Sequence, residues 1–343
     1  MTEPDASVER KRLLTALLLE AGELAPGDLV ESCDQLEGGW SRFSHIARVR
    51  CDDSSERQYV VRVKAPYGLF DTDLIAEYNV FKALEQLELP TPRAFGLRTG
   101  TDNPFGGELF VMEFLPGRSP NVWRRRDHEG LRADWDGARR IAQDLVTYAA
   151  RIHSVSADKA PPGLPRLSFA EQLDTWRDCY REAGFNRDPV LEEAFDWLAD
   201  NAPGDASHGL VHGDFRIGNM LIDAGRVSAI LDWELAYIGD VRFDLGYIAT
   251  DYMAGKHLRP KTELLGAVAD REWFFSEYER LTGAELDREA IRAFSVLGLV
   301  SLMSMTYKGL RRYFDGQSTD FRRAWARYGL PGMRQELTVL MNW

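Results

Sequence analysis

Cysteine is scarce in this chain: Cys33, Cys51 and Cys179 are the only three in 343 residues, and no CxxC pair occurs. That count excludes a disulfide framework and fits reduced thiols in a cytoplasm. Positive charge is also short. Lys and Arg number 42 against 54 Asp and Glu, for a net charge of -12. No nucleic-acid partner is expected, because phosphate binding needs a concentrated basic surface. The local runs Arg124 to Arg126 and Arg311 to Arg312 read as solvated faces. Long apolar runs are missing as well. AFSVLGLVSLMSM from Ala293 is too short for a span, is broken by serines, and reads as a buried helix. The opening MTEPDASVERKR is acidic and polar, unlike a signal peptide, so a cytoplasmic location without a membrane partner is expected. There is no internal repeat, and no phosphate loop either. AGKHL at 254 to 258 has Thr250 where the first glycine belongs and His257 where a Ser or Thr should bind magnesium.

What is present is an ordinary globular composition, 44% hydrophobic and 28% charged, long enough for two domains or a two-lobed one. After an opening helix, about Ser7 to Ala21, residues 31 to 115 are strand-rich. FSHIARVRC and QYVVRVK carry the β-branched and aromatic content, and TPRAFGLR and ELFVMEFL follow as further strands. One helix interrupts them, DTDLIAEYNVFKALEQL, with Leu74, Tyr78, Phe81 and Leu84 at helical spacing. From Gly117 the pattern turns helical: GARRIAQDLVTYAARIHSV, SFAEQLDTWRDCYREAG and VLEEAFDWLADNAP are amphipathic. An island of strand character, GLVHGDFRIGNMLIDAGRVSAILDWE, sits inside this half as a hairpin turning at Asp223 to Arg226. The expectation is an α+β chain with a small β-rich lobe (1–115), a larger helical lobe (116–343) and a ligand cleft between them.

The island holds the chemistry. Asp214 and Asn219 stand at the D-x-x-x-x-N spacing of a protein-kinase catalytic loop. A carboxylate there accepts the proton of an attacking hydroxyl, and a carboxamide oxygen binds magnesium. Asp232 in AILDWE supplies a second carboxylate on the next strand. Two oxygen donors plus nucleotide phosphates suit Mg²⁺. His208 and His212 invite a zinc reading, but along a strand their rings would be roughly 13 Å apart, too far for one ion. Trp176, Trp197 and Trp233 read as core.

On HGDFRIGNMLID and ILDWELAYIGDVRFDL the chain resembles the aminoglycoside phosphotransferase and choline kinase-like family, which has a protein-kinase-like fold. The resemblance runs over nearly the whole chain. It implies an ATP- and Mg²⁺-dependent phosphotransferase acting on a small-molecule alcohol, with Asp214 as catalytic base and Asn219 and Asp232 on the metal. His212 is similar to the family's loop histidine, which braces the catalytic loop. Asp240 and Asp244 match a GD-x-x-x-D tail and read as scaffold. In the small lobe, Gly38, Gly39 and Ser41 of EGGWSRFS stand at a strand turn where backbone amides approach phosphates. The phosphate-binding cation falls on Arg62 by match to the V-L-K/R strand end, with Lys64 on the same side as the alternative. Glu77 on the following helix would pair with that cation. ELFVMEFLPG resembles the inter-lobe link, whose backbone from Glu113 to Leu115 would meet adenine.

A protein kinase is a less suitable reading, since no DFG or APE follows Asp232 and WELAYIGDVRFDL leaves little room for an activation loop. A catalytically silent nucleotide-binding module of the same fold is the alternative from another class. The acceptor is open between an antibiotic alcohol and a hydroxyacyl thioester. The segments MEFLPGR, HGDFRIGN and DWELAYIGD look closer to the kinase-like domains found with acyl-CoA dehydrogenases, whose members phosphorylate hydroxyacyl-CoA. Such a substrate would want a basic patch, for which Arg311, Arg312, Arg322 and Arg323 are candidates.

Overall fold

Alternation in RFSHIARVR and ERQYVVRVK puts Ala47, Val49, Val61 and Val63 on one face, and in the computed structural model that face is fully buried. The structure describes residues 3–36, 42–64, 72–87, 89–185, 187–204, 208–255 and 264–343. They fall into two compact units, Met1–Pro116 with Pro161–Gly163, and Gly117–Ala160 with Leu164–Trp343.

The first unit runs α1 (Glu3–Glu20), β1 (Leu29–Gln35), β2 (Arg42–Arg50), β3 (Glu56–Lys64), α2 (Leu74–Leu84), β4 (Ala94–Arg98) and β5 (Leu109–Glu113). Its strands form one antiparallel sheet in the order β1-β2-β3-β5-β4. Leu14, Leu17 and Leu18 of α1 pack on the apolar face with Val30, Ala47, Val49, Val61, Val63, Leu109 and Val111. Burying one such side chain contributes about 1.5–3 kcal/mol, so this layer holds α1 on the sheet. Asp73 starts α2 as its N-cap, accepting from the Ile75 amide at 2.8 Å.

The second unit runs α3 (Arg125–Ala133), α4 (Trp135–His153), β6 (Arg166–Leu167), α5 (Phe169–Ala183), α6 (Pro189–Asp200), β7 (His208–Val211), β8 (Met220–Asp223), β9 (Arg226–Ile230), β10 (Tyr237–Asp240), α7 (Arg242–Ile248), α8 (Arg271–Thr282), α9 (Arg288–Phe314), α10 (Phe321–Trp325) and α11 (Leu330–Leu340). β8 and β9 form the expected hairpin. A second small sheet, β6-β10-β7, has no counterpart in the sequence reading, because strands of two to four residues are too short to show alternation.

Helix α9 is buried, as expected, but longer than its apolar run suggests. Charged and polar residues extend the apolar run to 27 residues, so by length and composition it could cross a membrane. In the folded protein 83% of its most apolar window is buried. It is the central core helix of this unit, where Phe294, Leu297, Val300 and Met303 meet residues of α5, α6, α7 and α11. Gly298 lets α9 come close to α7: a Cβ there would lie 3.0 Å from the Tyr247 ring. That close approach fixes where Tyr247 points.

Candidate active site

The loop after β7 is built from its backbone outward. His212 and Gly213 both donate their amides to the Asp244 carboxylate on α7, at 2.7 and 3.0 Å. His153 on α4 meets the same carboxylate through Nε2 at 3.2 Å, and its Nδ1 meets the Tyr278 hydroxyl of α8 at 2.9 Å, so α8 is linked to the acid through His153. Gly213 has φ of 82°, and a Cβ there would sit 2.3 Å from the Leu235 carbonyl; only glycine fits. Asp240 accepts from the Arg242 amide at 3.0 Å and from its guanidinium, just ahead of α7.

His212 is fully buried and packs on Trp233, ring centroids 4.4 Å apart. Its Nε2 meets the Leu231 carbonyl at 3.0 Å and its Nδ1 meets the Asp214 amide at 3.2 Å. A carbonyl only accepts and an amide N–H only donates, so the ring carries its proton on Nε2. Both nitrogens are thereby engaged in holding the loop.

Asp214 is half-buried and receives three donors. Tyr247 Oη donates to Oδ1 at 2.5 Å, Asn219 Nδ2 to Oδ2 at 2.7 Å, and Arg216 Nε to both oxygens at 2.9 and 3.1 Å. Asn219 Nδ2 also donates to the Asp214 carbonyl at 2.9 Å. Its amide is thus oriented by its nitrogen, and Oδ1 accepts no hydrogen bond among the described residues. The Leu231 amide donates to the Asn219 carbonyl at 2.8 Å, which ties the end of β9 to the loop that carries Asp214. Asp232 follows immediately, half-buried, with φ of 68°. A non-glycine residue in that left-handed region is uncommon, and such strain concentrates at functional sites.

Asn219 Oδ1 and the Asp232 carboxylate are hard oxygen donors of the kind Mg²⁺ takes, one or two from the protein with phosphates and water completing the shell. The donor chemistry fits that ion. Among the described residues no group of three or more His, Cys, Asp or Glu side chains could hold a metal.

Two groups around Asp214 were not foreseen. Burial works against the charge of Arg216, but the Asp214 carboxylate beside it wins, and Tyr247 and Asp232 add to the rise in its pKa. Its guanidinium lies over the Trp123 ring at 5.6 Å. Burial, then the charge of Asp214, raises the Tyr247 pKa well above the phenol range and keeps it a donor. The spacing of Asp244 and Tyr247, three apart on α7, was the available signal, since it puts both on one helix face.

In the first unit Arg62 Nη2 donates to Glu77 Oε1 at 2.8 Å, and Arg42 Nε to Glu77 Oε2 at 3.1 Å. Arg42 was not foreseen, although its strand neighbour register (Arg42 opposite Lys64) places it next to the candidate cations. Lys64 faces Glu108 instead, at 3.8 Å. Glu113 ends β5, its amide donating to the Arg93 carbonyl at 2.9 Å, so that amide is already used. Leu115 lies beyond the strand and half-buried. Gly38, Gly39 and Ser41 lie outside the described residues.

Of the tryptophans, Trp233 is buried, while Trp176 and Trp197 are partly buried against the core. The basic candidates are largely occupied. Arg311 donates to the Ala183 and Gly184 carbonyls, Arg322 pairs with Asp320, and Arg323 is buried.

Residues 35–283 match the family described as "Phosphotransferase enzyme family". Acyl-CoA dehydrogenase family member 11 of Homo sapiens is 31% identical over 202 residues, 57% of this chain and 25% of that one. The chain therefore spans about a quarter of the length of the curated relatives it matches. Spectinomycin phosphotransferase APH(9)-Ia, solved with ADP and spectinomycin, superposes with a TM-score of 0.65 at 14% identity, covering 98% of this chain and 99% of its own. A thermostable mutant of aminoglycoside phosphotransferase APH(4)-Ia, in ternary complex with AMP-PNP and hygromycin B, gives a TM-score of 0.59 at 17% identity over 97% and 98%. These likenesses show the fold, the protein-kinase-like α+β fold.

Proposed function

Since the chain belongs to the phosphotransferase enzyme family, we propose that it transfers the γ-phosphate of ATP to a hydroxyl of a small molecule, with Asp214 as base. The observation that carries this reading is the contact of Asp214 with Asn219, and of Asn219 with the strand that delivers Asp232. The acceptor hydroxyl would hydrogen-bond to Asp214. Its oxygen would form the new bond to the γ-phosphorus as the bridge to ADP breaks, and its proton would pass to the carboxylate. Such chemistry is mostly positioning and charge neutralisation. Bound magnesium, held by Asn219 and Asp232, would supply the neutralisation. Arg62, fixed by Glu77, would take a phosphate oxygen, and the backbone near Leu115 the adenine. His212 acts by holding the loop.

The acceptor we favour is a hydroxyacyl-type alcohol. The likeness to a segment of an acyl-CoA dehydrogenase family member supports it over an antibiotic alcohol. A thermal-shift titration with ATP and magnesium, followed by mass spectrometry of a panel of hydroxyacyl thioesters and antibiotics, tests both levels. The expected result is ATP-dependent gain of one phosphate on a hydroxyacyl compound. Stabilisation by ATP without consumption by any acceptor would instead make the protein a silent nucleotide-binding module.

A further inference from the structure

A carboxylate offers about four lone-pair positions. At Asp214 each oxygen has a donor of its own, Tyr247 on Oδ1 and Asn219 on Oδ2, and each also shares the Nε–H of Arg216. An incoming hydroxyl meets the Nε–H of Arg216 lying across both oxygens. For a hydroxyl to sit across both oxygens one donor has to move aside, and the three are not equally able to do so. Tyr247 is 1% exposed and wedged against α9 at Gly298. Asn219 is 5% exposed and held a second time by the Asp214 carbonyl. The Arg216 side chain is 24% exposed, long, and supported from one side by a flat indole. That indole is itself fixed, its Nε1 donating to the Tyr252 carbonyl at 3.0 Å.

We infer that Arg216 is a latch on Asp214 that opens when an anionic oxygen of a bound ligand takes over its guanidinium. The inference rests on the proposed role of Asp214 as base. The exchange keeps the guanidinium paired with an anion, which an unaided departure would not, while Tyr247 and Asn219 go on donating to the carboxylate. The anionic oxygen belongs either to the nucleotide phosphates or to an acid group on the acceptor. Either way Arg216 is a positioning residue, and a bare enzyme keeps its base covered against water.

Gly218 offers a way to open the latch without removing it. Its φ is outside the left-handed region, yet a Cβ there would lie 2.1 Å from Arg216 Nη1 and 3.2 Å from its Cζ, and the nearest atom of any other residue is the Pro120 carbonyl oxygen at 3.6 Å. Gly218→Ala therefore pushes the guanidinium aside and little else. The test follows tryptophan emission of the full chain, with Trp123→Phe subtracted to isolate Trp123. One arm adds AMP-PNP with magnesium, the other 3-hydroxybutyrate. Wild type should give a saturable change with at least one probe, and the responding arm identifies the source of the anion. Arg216→Gln should give none, and Gly218→Ala should begin at the shifted emission. Acceptor-free ATP hydrolysis should rise at least about threefold in Gly218→Ala, because water gains access to the base. Calorimetric binding of a probe with no Trp123 change, an equal change in Arg216→Gln, unaltered hydrolysis in Gly218→Ala, or no binding of either probe overturns the latch. An emission change with no phosphate transfer to any acceptor or to water keeps the latch and removes Asp214 as base.

Discussion

Glu77 in the first unit and Asp214 in the second are both carboxylates gripped by arginine, but their surroundings differ. Glu77 is 1% exposed, with one guanidinium on each oxygen, from Arg42 on β2 and Arg62 on β3. Sealed from solvent between the two guanidiniums, it serves as a strut that fixes two strands and a helix. Asp214 keeps 17% of its side chain exposed and mixes one cation with an amide and a phenol. Neutral donors orient a carboxylate without claiming its charge. The comparison teaches that a paired acid becomes available for chemistry through the share of its surface left open and the mobility of one partner.

The strongest way to break the comparison is Asp214→Ala. Phosphoryl transfer should fall by about 10²–10⁴-fold while ATP affinity and melting temperature are kept. Loss of the fold along with activity would make Asp214 a strut like Glu77. Next in size is Glu77→Ala, which leaves two buried guanidiniums without their carboxylate and should cost about 3–5 kcal/mol in urea denaturation. A cost near zero would mean that the strut carries no load.

Glu336 on α11 sharpens the contrast from a third side, as a buried acid held by backbone amides of Asp251 and Tyr252, with Asp251 and Arg271 as its charged neighbours. Burial, then the charge of Asp251, pushes its pKa from 4.5 up to about 7. The unfolded chain releases this proton near 4.5 and the folded protein holds it until about 7. Over that window the unfolded state binds fewer protons, so stability falls as pH rises. Thermal melts of wild type should therefore decline between about pH 4.5 and 7 more steeply than those of Glu336→Gln. Parallel curves would place the Glu336 proton elsewhere.

Much of the site was readable before folding because its parts are close along the chain. His212, Asp214 and Asn219 occupy one loop, and the next strand carries Asp232, so their spacing nearly dictates their meeting. The hairpin of β8 and β9 was readable for the same reason, since turn residues sit between two apolar runs. Arg42 was hidden because an arginine in an alternating strand reads as a solvent-facing position, whereas here it is 2% exposed beneath α2. Arg216 stood inside the quoted loop, yet its spacing said nothing about which way the guanidinium turns.

Short-range pattern was enough for the phosphotransferase family, the α+β class and the order of the candidate residues along the chain. Which donors surround Asp214 came only from packing. Tyr247 stands 33 residues downstream and reaches the carboxylate because α7 lies close against α9, where Gly298 leaves room for its ring. Covalent connectivity limits only near neighbours; contacts between distant segments depend on how side chains fill the space between helices.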